Sequence, residues 1–441
     1  MIIRLGGGQA GYGDATPPVA DLVAAGVDYL VCDALAESTL AVLQKDRQRD
    51  PSLGYARDLP EYVEIAAEAI ASGRMRMISN AGGLNPLQAA LTVRDLLVNM
   101  GIRGVRIAAV MGDDVLSDAA TYGVTEDALF ANVYLGASVV HRALAAGAHI
   151  VITGRVADAS LFLAPLVFEF GWSWTDYDRL AAGVTVGHLL ECSAQVSGSV
   201  YSGAWWQDPD PFRPGYPIAE VNEAGKAVIT KPHGTGGQVT FDTVREQLMY
   251  EVHNPAAYLN PDCTADFTAL QLTDLGDDRV EVAGAKGSPP PDTYKGLYAR
   301  PAGWLGDVIH TFSWPDAEAK AHMALRITRE RASARGIPVR EWCEEYFGAG
   351  AHHGYAATED LEAARKSGWE PPEIVARLAW RCDDRSAAVE VGRRGGGLAL
   401  PMSSPLGRPK RREPSQLMSL HAFAAQRYPV DARVRMELLA C

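Results

Sequence analysis

The sequence predicts an α/β protein with a three-layer, mostly parallel sheet in its N-terminal lobe and a second, mixed α+β lobe. From Met1 to about Leu166, a short apolar run, a break containing Gly or Asp, and a helical stretch follow one another five times. This alternation is typical of a parallel sheet with helices on both faces. After Gly198 the pattern changes, because residues 201–216 contain two tryptophans and three prolines and therefore exclude a regular element.

The elements of the N-terminal lobe follow from local signals. Pro17 behind Thr16 fits the first position of a helix after its capping residue. Residues 149–153 form a short apolar run that fits a buried strand, and a helix capped by Asp158 or Ser160 follows the break at Gly154 and Arg155. We predict strands at residues 2–5, 29–32, 75–79, 105–110 and 150–153, and helices at residues 17–25, 60–72, 86–100 and 126–146.

We expect four segments along the chain. They are an α/β domain with a strand-end substrate crevice (1–200), a connecting loop, hairpin and glycine loop (201–265), a mixed α+β lobe (266–400), and a C-terminal arm (401–441). The hairpin is expected to turn at Gly225. In the mixed lobe we predict strands at residues 268–272, 279–283, 294–299, 307–312 and 374–382, and a helix at residues 315–334.

Composition excludes several classes of partner. The net charge of −13 argues against nucleic acid or an anionic membrane surface, because both reward clustered Lys and Arg. A small anionic substrate remains compatible with this charge, since one local arginine can outweigh a diffuse negative field. The six cysteines form no CxxC pair and no zinc spacing, so we expect no metal and reduced thiols in the cytoplasm. No apolar run is long enough to span a membrane.

The loops that follow the five predicted strands are the expected binding crevice, because ligands of such sheets bind beyond the carboxyl ends of the strands. Arg155 is the best candidate for anion binding, since an arginine at a strand end facing the amides of a helix start makes an anion site. The other candidate substrate-binding residues in these loops are Gly8, Gly11, Asp14, Asn80, Asn85 and Asp158. The alternative is that these residues only form the turns that every strand end of a parallel sheet needs.

Gly6, Gly8 and Gly11 have the GxGxxG spacing of a dinucleotide-binding turn, and Asp33 ends the second predicted strand. The predicted position of the next helix argues against a dinucleotide-binding turn. The helix starts at Pro17, which leaves a long glycine-rich loop where the pyrophosphate-binding helix should begin. We therefore expect this loop to contact substrate or phosphate through its amides. A nicotinamide-dependent oxidoreductase is the less favoured alternative.

Candidate catalytic residues are Asp33, Glu37 and His188. Asp33 and Glu37 flank a strand-to-helix turn, so one could act as general base and the other as orienting group, or both could simply support the helix start. His188 shares a helix face with Glu191, and a histidine beside a carboxylate can transfer protons near neutral pH. It could equally be a buried histidine whose hydrogen bonding is satisfied by its neighbour.

A second chemical stretch runs from Lys231 to Gly237. Lys231, Gly236 and the backbone amides of this loop could hold a phosphate or carboxylate, with a helix following from about Asp242. The stretch does not match the P-loop, whose lysine follows the glycines. A turn that merely needs glycine is the alternative.

Five segments together resemble the acyclic terpene utilisation AtuA family. They are GGGQAGYGDATPPVADLVAAGVDYLVCDALAEST, SNAGGLNP, VITGRVADASLFLAPL, AGVTVGHLLECSAQVSG and KPHGTGGQVTFDTVREQLMYEVHNPAAYLNPD. The resemblance spans nearly the whole chain and implies a cytoplasmic bacterial protein linked to acyl-CoA or branched-acid metabolism. It carries over no catalytic residue, and the small C-terminal domain of many members is not expected here.

The leading hypothesis is an enzyme of hydratase, dehydratase or related lyase type that acts on a carboxylic acid or its CoA thioester by acid/base catalysis. The alternative is a non-catalytic acyl- or CoA-binding subunit of a multi-protein enzyme. We expect no tightly bound cofactor, with CoA present only as part of a substrate. The expected partners are a small anionic substrate and further copies of the chain in a homo-oligomer.

Overall fold

The computed structural model describes residues 1–203, 205–208, 210–349, 351, 358–394 and 410–441. The chain forms two compact units, one made of Met1–Ala299 and Leu420–Cys441 and the other of Arg300–Ser419. The predicted α/β class is confirmed. The glycine- and proline-rich stretch 395–409, which prompted the prediction of a C-terminal arm, lies outside the described residues.

The centre of the first unit is a layer of parallel strands. In chain order the first six strands are β1 (Ile2–Gln9), β2 (Tyr29–Cys32), β3 (Arg76–Ser79), β4 (Arg106–Met111), β5 (Phe130–Val133) and β6 (Ile150–Thr153). Five of them form the parallel layer in the order β1-β2-β3-β6-β4, whereas β5 pairs elsewhere. All residues of β2 and β6 are buried, as expected of strands covered on both faces.

Helices cover both faces of this sheet and give three layers. They are α1 (Pro17–Ala24), α2 (Glu37–Arg49), α3 (Leu59–Ala71), α4 (Pro86–Asn99), α5 (Ser138–Ala145), α6 (Asp158–Phe170) and α7 (Tyr177–Glu191). Apolar residues of α1, α3 and α4 share one core with Leu30 and Ile152, and those of α5, α6 and α7 share a second core with Val31 and Val151. The alternating directions of strand side chains therefore divide the interior into two cores.

Antiparallel strands extend the sheet on both sides, so the complete sheet is mixed. β7 (Ile218–Asn222) and β8 (Ala227–Thr230) form the predicted hairpin, with Gly225 in the left-handed region at φ 83°. β7 pairs with β1. The remaining elements of this part are α8 (Phe241–Met249), β9 (Tyr258–Leu259), β10 (Thr264–Asp266), β11 (Gln271–Gly276), β12 (Arg279–Ala283) and β13 (Lys286–Ser288). β12 pairs with β8 and β11 with β12, whereas β13, β10 and β9 form a small separate sheet.

The glycines of the predicted first loop belong to a strand, which corrects the sequence analysis. β1 continues to Gln9, so Gly6, Gly7 and Gly8 lie within the sheet and only the residues after Gln9 form a loop. A Cβ on Gly7 would lie 2.6 Å from the carbonyl oxygen of Leu190, so glycine here lets the end of α7 approach the sheet. These residues therefore do not form a dinucleotide-binding turn.

The predicted helix at residues 126–146 is wrong. Its first half contains β5, all of whose residues are buried, and only residues 138–145 are helical, as α5. β5 pairs with a strand far along the chain, β14 (Thr293–Ser313), and such tertiary pairing overrides local helical periodicity. The predicted strands at residues 294–299 and 307–312 are both parts of β14, and the one at residues 268–272 is replaced by a 3-10 turn and β11.

The second unit is a mixed α+β structure. The remaining elements of the chain are α9 (Ala317–Ala334), β15 (Glu341–Phe347), α10 (Thr358–Lys366), β16 (Glu373–Cys382), α11 (Arg385–Arg394), β17 (Lys410–Arg411), β18 (Ser415–Gln426), α12 (Arg427–Asp431) and β19 (Arg435–Ala440). β15, β16 and β14 form an antiparallel sheet whose core includes Phe312, Leu325 and Trp380. β19 belongs to the first unit, where it pairs with β4 as an edge strand.

Candidate active site

The parallel strands bring several of the predicted site residues to one edge of the sheet. Asp33 directly follows β2, Asn80 follows β3, and Arg155 lies two residues beyond β6. Asn80 Nδ2 donates to Asp33 Oδ1 over 2.6 Å, and the charge of Arg155 acts on the Asp33 carboxyl group. The loops of β2, β3 and β6 therefore meet, as the strand-end rule predicts.

Arg155 provides a fixed positive charge in the interior, with 1% of its surface exposed. Its guanidinium donates to the carbonyl of Leu35 and forms an ion pair with Asp158, whose Oδ1 lies 2.8 Å from Nη1. The guanidinium carbon lies 4.1 Å from the centroid of the Tyr134 ring, a cation–π contact. Burial alone lowers the pKa of Arg155, but the neighbouring Asp158 and Tyr134 raise it, and the net shift is upward.

Asp33 is buried in a position that favours its protonated form. Its Oδ1 accepts hydrogen bonds from Asn80 Nδ2 and, over 3.2 Å, from the backbone amide of Leu35. Asn80 is fixed in turn, because its Oδ1 accepts from the amide of Ala34 over 2.7 Å. Burial raises the pKa of Asp33 well above its ordinary value, the charge of Asp158 raises it further, and Arg155 opposes both effects.

Glu37, unlike Asp33, lies in surroundings that favour its ionised form. Its Oε1 accepts hydrogen bonds from Tyr134 Oη over 2.9 Å and from Lys295 Nζ over 3.1 Å. Burial alone raises the pKa of Glu37, but its own backbone amide at the start of α2, Lys295 and Arg155 lower it to about 2. Glu37 is therefore ionised across the physiological pH range, and it ties Tyr134 to the Arg155 site.

His188 and Glu191 form a buried pair near the end of α7. His188 Nδ1 lies 3.0 Å from Glu191 Oε1, and the rings of Tyr258 and Phe267 pack against the imidazole. Burial lowers the pKa of His188 to about 4, so the imidazole is neutral at pH 7. Burial raises the pKa of Glu191 well above its ordinary value, and Asp158 raises it further. From the sequence, Glu191 was expected only as a neighbour of His188 on the same helix face.

The Arg155 guanidinium thus acts on three carboxyl groups, because it pairs with Asp158 and its charge lowers the pKa of Asp33 and Glu191. The charge of Asp158 acts on both Asp33 and Glu191, and Arg155 opposes it at both positions. We refer to Asp33, Asp158 and Glu191 as the carboxyl cluster. Protons on Asp33 and Glu191 would leave the ion pair of Arg155 and Asp158 as the balanced charge of the cluster, which limits the cost of burying it. The arrangement can hold protons out of water and release them to a bound molecule.

Asp113 supports the loop that carries Arg155. Its Oδ2 accepts hydrogen bonds from Asn132 Nδ2 over 2.7 Å and from the Arg155 backbone amide over 2.8 Å. The Asp113 carboxylate occupies the position that a Cβ on Gly154 would need, so only glycine fits there. Burial raises the pKa of Asp113 to about 6, even though these two hydrogen bonds lower it.

Asp113 should make the stability of the protein depend on pH. Its folded pKa of about 6 lies above the unfolded value of 3.8, so the native state binds more protons between these values and loses stability as pH rises through them. Asp113→Asn retains the acceptor oxygen and does not titrate. We expect the variant to gain about 2–3 kcal/mol of unfolding free energy relative to wild type between pH 4 and pH 7.5, as measured by urea denaturation. A difference that does not vary with pH would contradict this role.

The remaining predicted binding residues have other contacts. Asp14 Oδ2 accepts from the amides of Ala10 and Gly11 over 2.7 and 2.9 Å, so it shapes its own loop and uses the Gly11 amide. Gly8 faces the core, where a Cβ would lie 2.6 Å from Leu30 Cδ1. Asn85 Nδ2 donates to the carbonyl of Leu53 over 3.1 Å. These four residues fix the backbone at the strand ends.

The loop from Lys231 to Gly237 is held by internal contacts. Lys231 Nζ donates to the carbonyl of Thr235 over 2.8 Å and lies 3.1 Å from Asp278 Oδ2. The amide of Gly236 donates to the carbonyl of Arg213 over 2.7 Å. Lys231 and the Gly236 amide, which we expected to hold an anion, therefore already have partners within the protein.

Tyr134 and Lys295 are site residues that the sequence analysis missed. Tyr134 fell within the wrongly predicted helix, and Lys295 is 258 residues away from Glu37 in the chain. Lys295 Nζ lies 4.6 Å from the centroid of the Tyr134 ring, which also contacts Arg155. The pairing of β14 with β5 brings these residues together, and no local pattern indicates it.

The described residues contain neither a metal-binding cluster nor a helix that could cross a membrane. No group of three or more His, Cys, Asp or Glu side chains is arranged there to hold a metal ion. No helix in the described ranges is long and apolar enough to cross a membrane. All six cysteines are free thiols.

The fold and the site define a mixed α/β protein with buried ionisable groups at the carboxyl edge of its parallel strands. The chain belongs to the family described as Acyclic terpene utilisation family protein AtuA, which it matches over residues 3–436. The family resemblance found in the sequence is thereby confirmed. No curated protein and no solved structure is significantly similar to the chain.

Proposed function

We propose that the protein is an enzyme that acts on a carboxylic acid or its CoA thioester by acid/base catalysis, of hydratase, dehydratase or related lyase type. The observation that supports this most directly is the carboxyl cluster, in which Asp33 and Glu191 are buried and Asp158 pairs with the buried Arg155. Shifted pKa values at a strand-end site are characteristic of proton-transfer chemistry. Membership of a family named for acyclic terpene utilisation is consistent with an acyl substrate.

In this proposal Asp33 is the general acid. Its two hydrogen bonds from Asn80 and Leu35 both fall on Oδ1, which places the acidic proton on Oδ2. A proton held there is available to a substrate carbon or oxygen that enters the cluster. The carboxylate that results is stabilised by the same two donors and by Arg155.

Glu191 and His188 supply the second proton-transfer group. Two acceptor atoms cannot lie 3.0 Å apart without a proton between them, so the contact of His188 Nδ1 with Glu191 Oε1 holds one. Because burial favours a neutral imidazole and a protonated Glu191, the pair retains a proton that it can exchange with substrate. Glu37 remains ionised and orients Tyr134, which is a supporting role.

Arg155 would face the substrate carboxylate or the oxygen of the thioester as charge develops on it. Elimination of a hydroxyl group requires an acid that protonates the leaving oxygen and a base that takes the proton from the neighbouring carbon. Asp33 is the acid, and the Glu191–His188 pair is the base after Glu191 has given up its proton, when His188 Nδ1–H donates to the Glu191 carboxylate. Hydration reverses these two proton transfers. The dinucleotide alternative lacks support, because Gly6 and Gly8 are strand residues.

Assays of the purified protein on free carboxylic acids and on acyl-CoA thioesters test the proposal. Hydration or dehydration should be detected by mass spectrometry with the protein alone. Activity that appears only when the products of neighbouring genes are added would favour the binding-subunit alternative. Binding of NADH, followed by its fluorescence, would instead support an oxidoreductase.

A further inference from the structure

The ion pair between Arg155 and Asp158 is asymmetric in its exposure. Arg155 has 1% of its side chain exposed, whereas Asp158 has 33%. Asp158 is the first residue of α6, and no side-chain hydrogen bond caps this helix. Asp158 therefore has solvent on one side and the buried guanidinium on the other, and its side chain can rotate away without unfolding the helix.

The guanidinium of Arg155 is only partly satisfied by the protein. Nη1 contacts the Leu35 carbonyl and Asp158, and Nη2 lies 3.4 Å from Asp158 Oδ2. Nε is buried and has no hydrogen-bond partner among the described residues. Since a guanidinium has five N–H donors in a planar fork, Arg155 retains capacity for a further acceptor of carboxylate geometry.

A second anion cannot join this site while Asp158 remains there. Asp33 and Glu191 already experience the negative charge of Asp158, and Arg155 is the cation that opposes it at both positions. An incoming carboxylate beside Asp158 would place two negative charges on one guanidinium, and their repulsion is weakly screened because Arg155, Asp33 and Glu191 are buried. Binding of an anion to Arg155 therefore requires Asp158 to leave.

We propose that Asp158 occupies the position of the substrate carboxylate and is displaced when a monocarboxylate binds to Arg155. This inference rests on the proposed function for its substrate class and narrows that class to the free acid. Asp158 then acts as an internal competitor. A competitor that occupies Arg155 for about nine-tenths of the time weakens apparent affinity about tenfold, because affinity scales with the fraction of free sites.

Isothermal titration calorimetry with Asp158→Asn tests this proposal. The probes are 3-methylbut-2-enoate and the linear monocarboxylates from acetate to decanoate, with methyl 3-methylbut-2-enoate as the uncharged control. We expect at least one carboxylate to bind about tenfold more tightly to the variant than to wild type, and the ester to show no difference. Asp178→Asn is the matched control, because Asp178 also lies in the first turn of a helix and pairs with a basic side chain, Lys286.

Equal or weaker carboxylate binding by Asp158→Asn, or no carboxylate binding by either protein, would overturn the proposal. Asp158→Ser serves as a second variant, and thermal unfolding of both establishes that they are folded. In a crystal structure of the complex, a carboxylate bound away from the Arg155 guanidinium would also overturn it. Because these experiments measure binding, they stand even if the protein proves to have no catalytic activity.

Discussion

Replacing Arg155 with glutamine is expected to lower the free energy of unfolding by about 1–3 kcal/mol, because the buried Leu35 carbonyl loses its hydrogen-bond donor. The variant leaves Asp158 without its cation and removes the charge that lowers the pKa of both Asp33 and Glu191. It also loses the cation–π contact with Tyr134. Urea denaturation at pH 7 measures the change, and calorimetry with the carboxylate probes should show loss of binding.

Arg179→Gln provides a matched control for this experiment. Arg179 also pairs with an aspartate three residues away, Asp176, but the Arg179 side chain is 44% exposed whereas that of Arg155 is 1% exposed. Exposed pairs of this kind contribute at most about 1 kcal/mol. A loss of stability in Arg155→Gln no larger than in Arg179→Gln would show that the buried arginine does not organise the site.

Replacing Asp33 with asparagine is expected to reduce kcat about 10²- to 10⁴-fold on the substrate identified by the acyl assays, the range typical of a lost general acid. Asparagine keeps the Oδ1 acceptor for Asn80 and Leu35 but carries no acidic proton. The fold should therefore be retained. Because the lost group acts in the transition state, KM should change little.

Asp28→Asn is the control at the opposite end of the same strand. Asp28 precedes β2 and accepts a hydrogen bond from the Arg4 amide over 2.7 Å, away from the carboxyl edge. Its replacement should leave kcat unchanged. If Asp33→Asn retained the activity of Asp28→Asn, Asp33 would not be the acid, and Glu191 would become the principal candidate.

The parallel core could be predicted from the sequence because its signals are local. Buried runs such as residues 150–153 and helix starts such as Pro17 depend on neighbours in the chain, and both were confirmed. The strand-end rule then located Asp33, Asn80 and Arg155, which the structure brings together. Once the parallel strands had been predicted, the rule that their carboxyl ends share one edge was enough to place these three residues together.

Features that depend on contacts between segments far apart in the chain could not be predicted from the sequence. β5 is held by β14, and β19 by β4, so neither can be recognised from its own segment. Gly7 was mistaken for a loop residue because glycine is needed there for the close approach of the Leu190 carbonyl, and Leu190 belongs to α7, far along the chain. Lys295 lies beside Glu37 because β14, which contains Lys295, pairs with β5.

The protonation states of the site residues could not be predicted from the sequence either. Asp33 and Glu37 looked equivalent, since both flank one turn, but burial favours the protonated form of Asp33 while the start of α2 and Lys295 favour the ionised form of Glu37. Likewise Glu191 differs from an ordinary helical glutamate only through its burial against Asp158 and His188. Environment, rather than residue type, separates these carboxyl groups.

The central claim is that Asp33 is held as a neutral acid beside Arg155. Infrared difference spectroscopy of wild type against Asp33→Asn at pH 7 tests it most directly, because protonated and ionised carboxyl groups absorb at different frequencies. We expect the variant to lack a carboxylic-acid C=O band that wild type shows. Loss of a carboxylate band instead would show that Asp33 is ionised and would contradict the proposed mechanism.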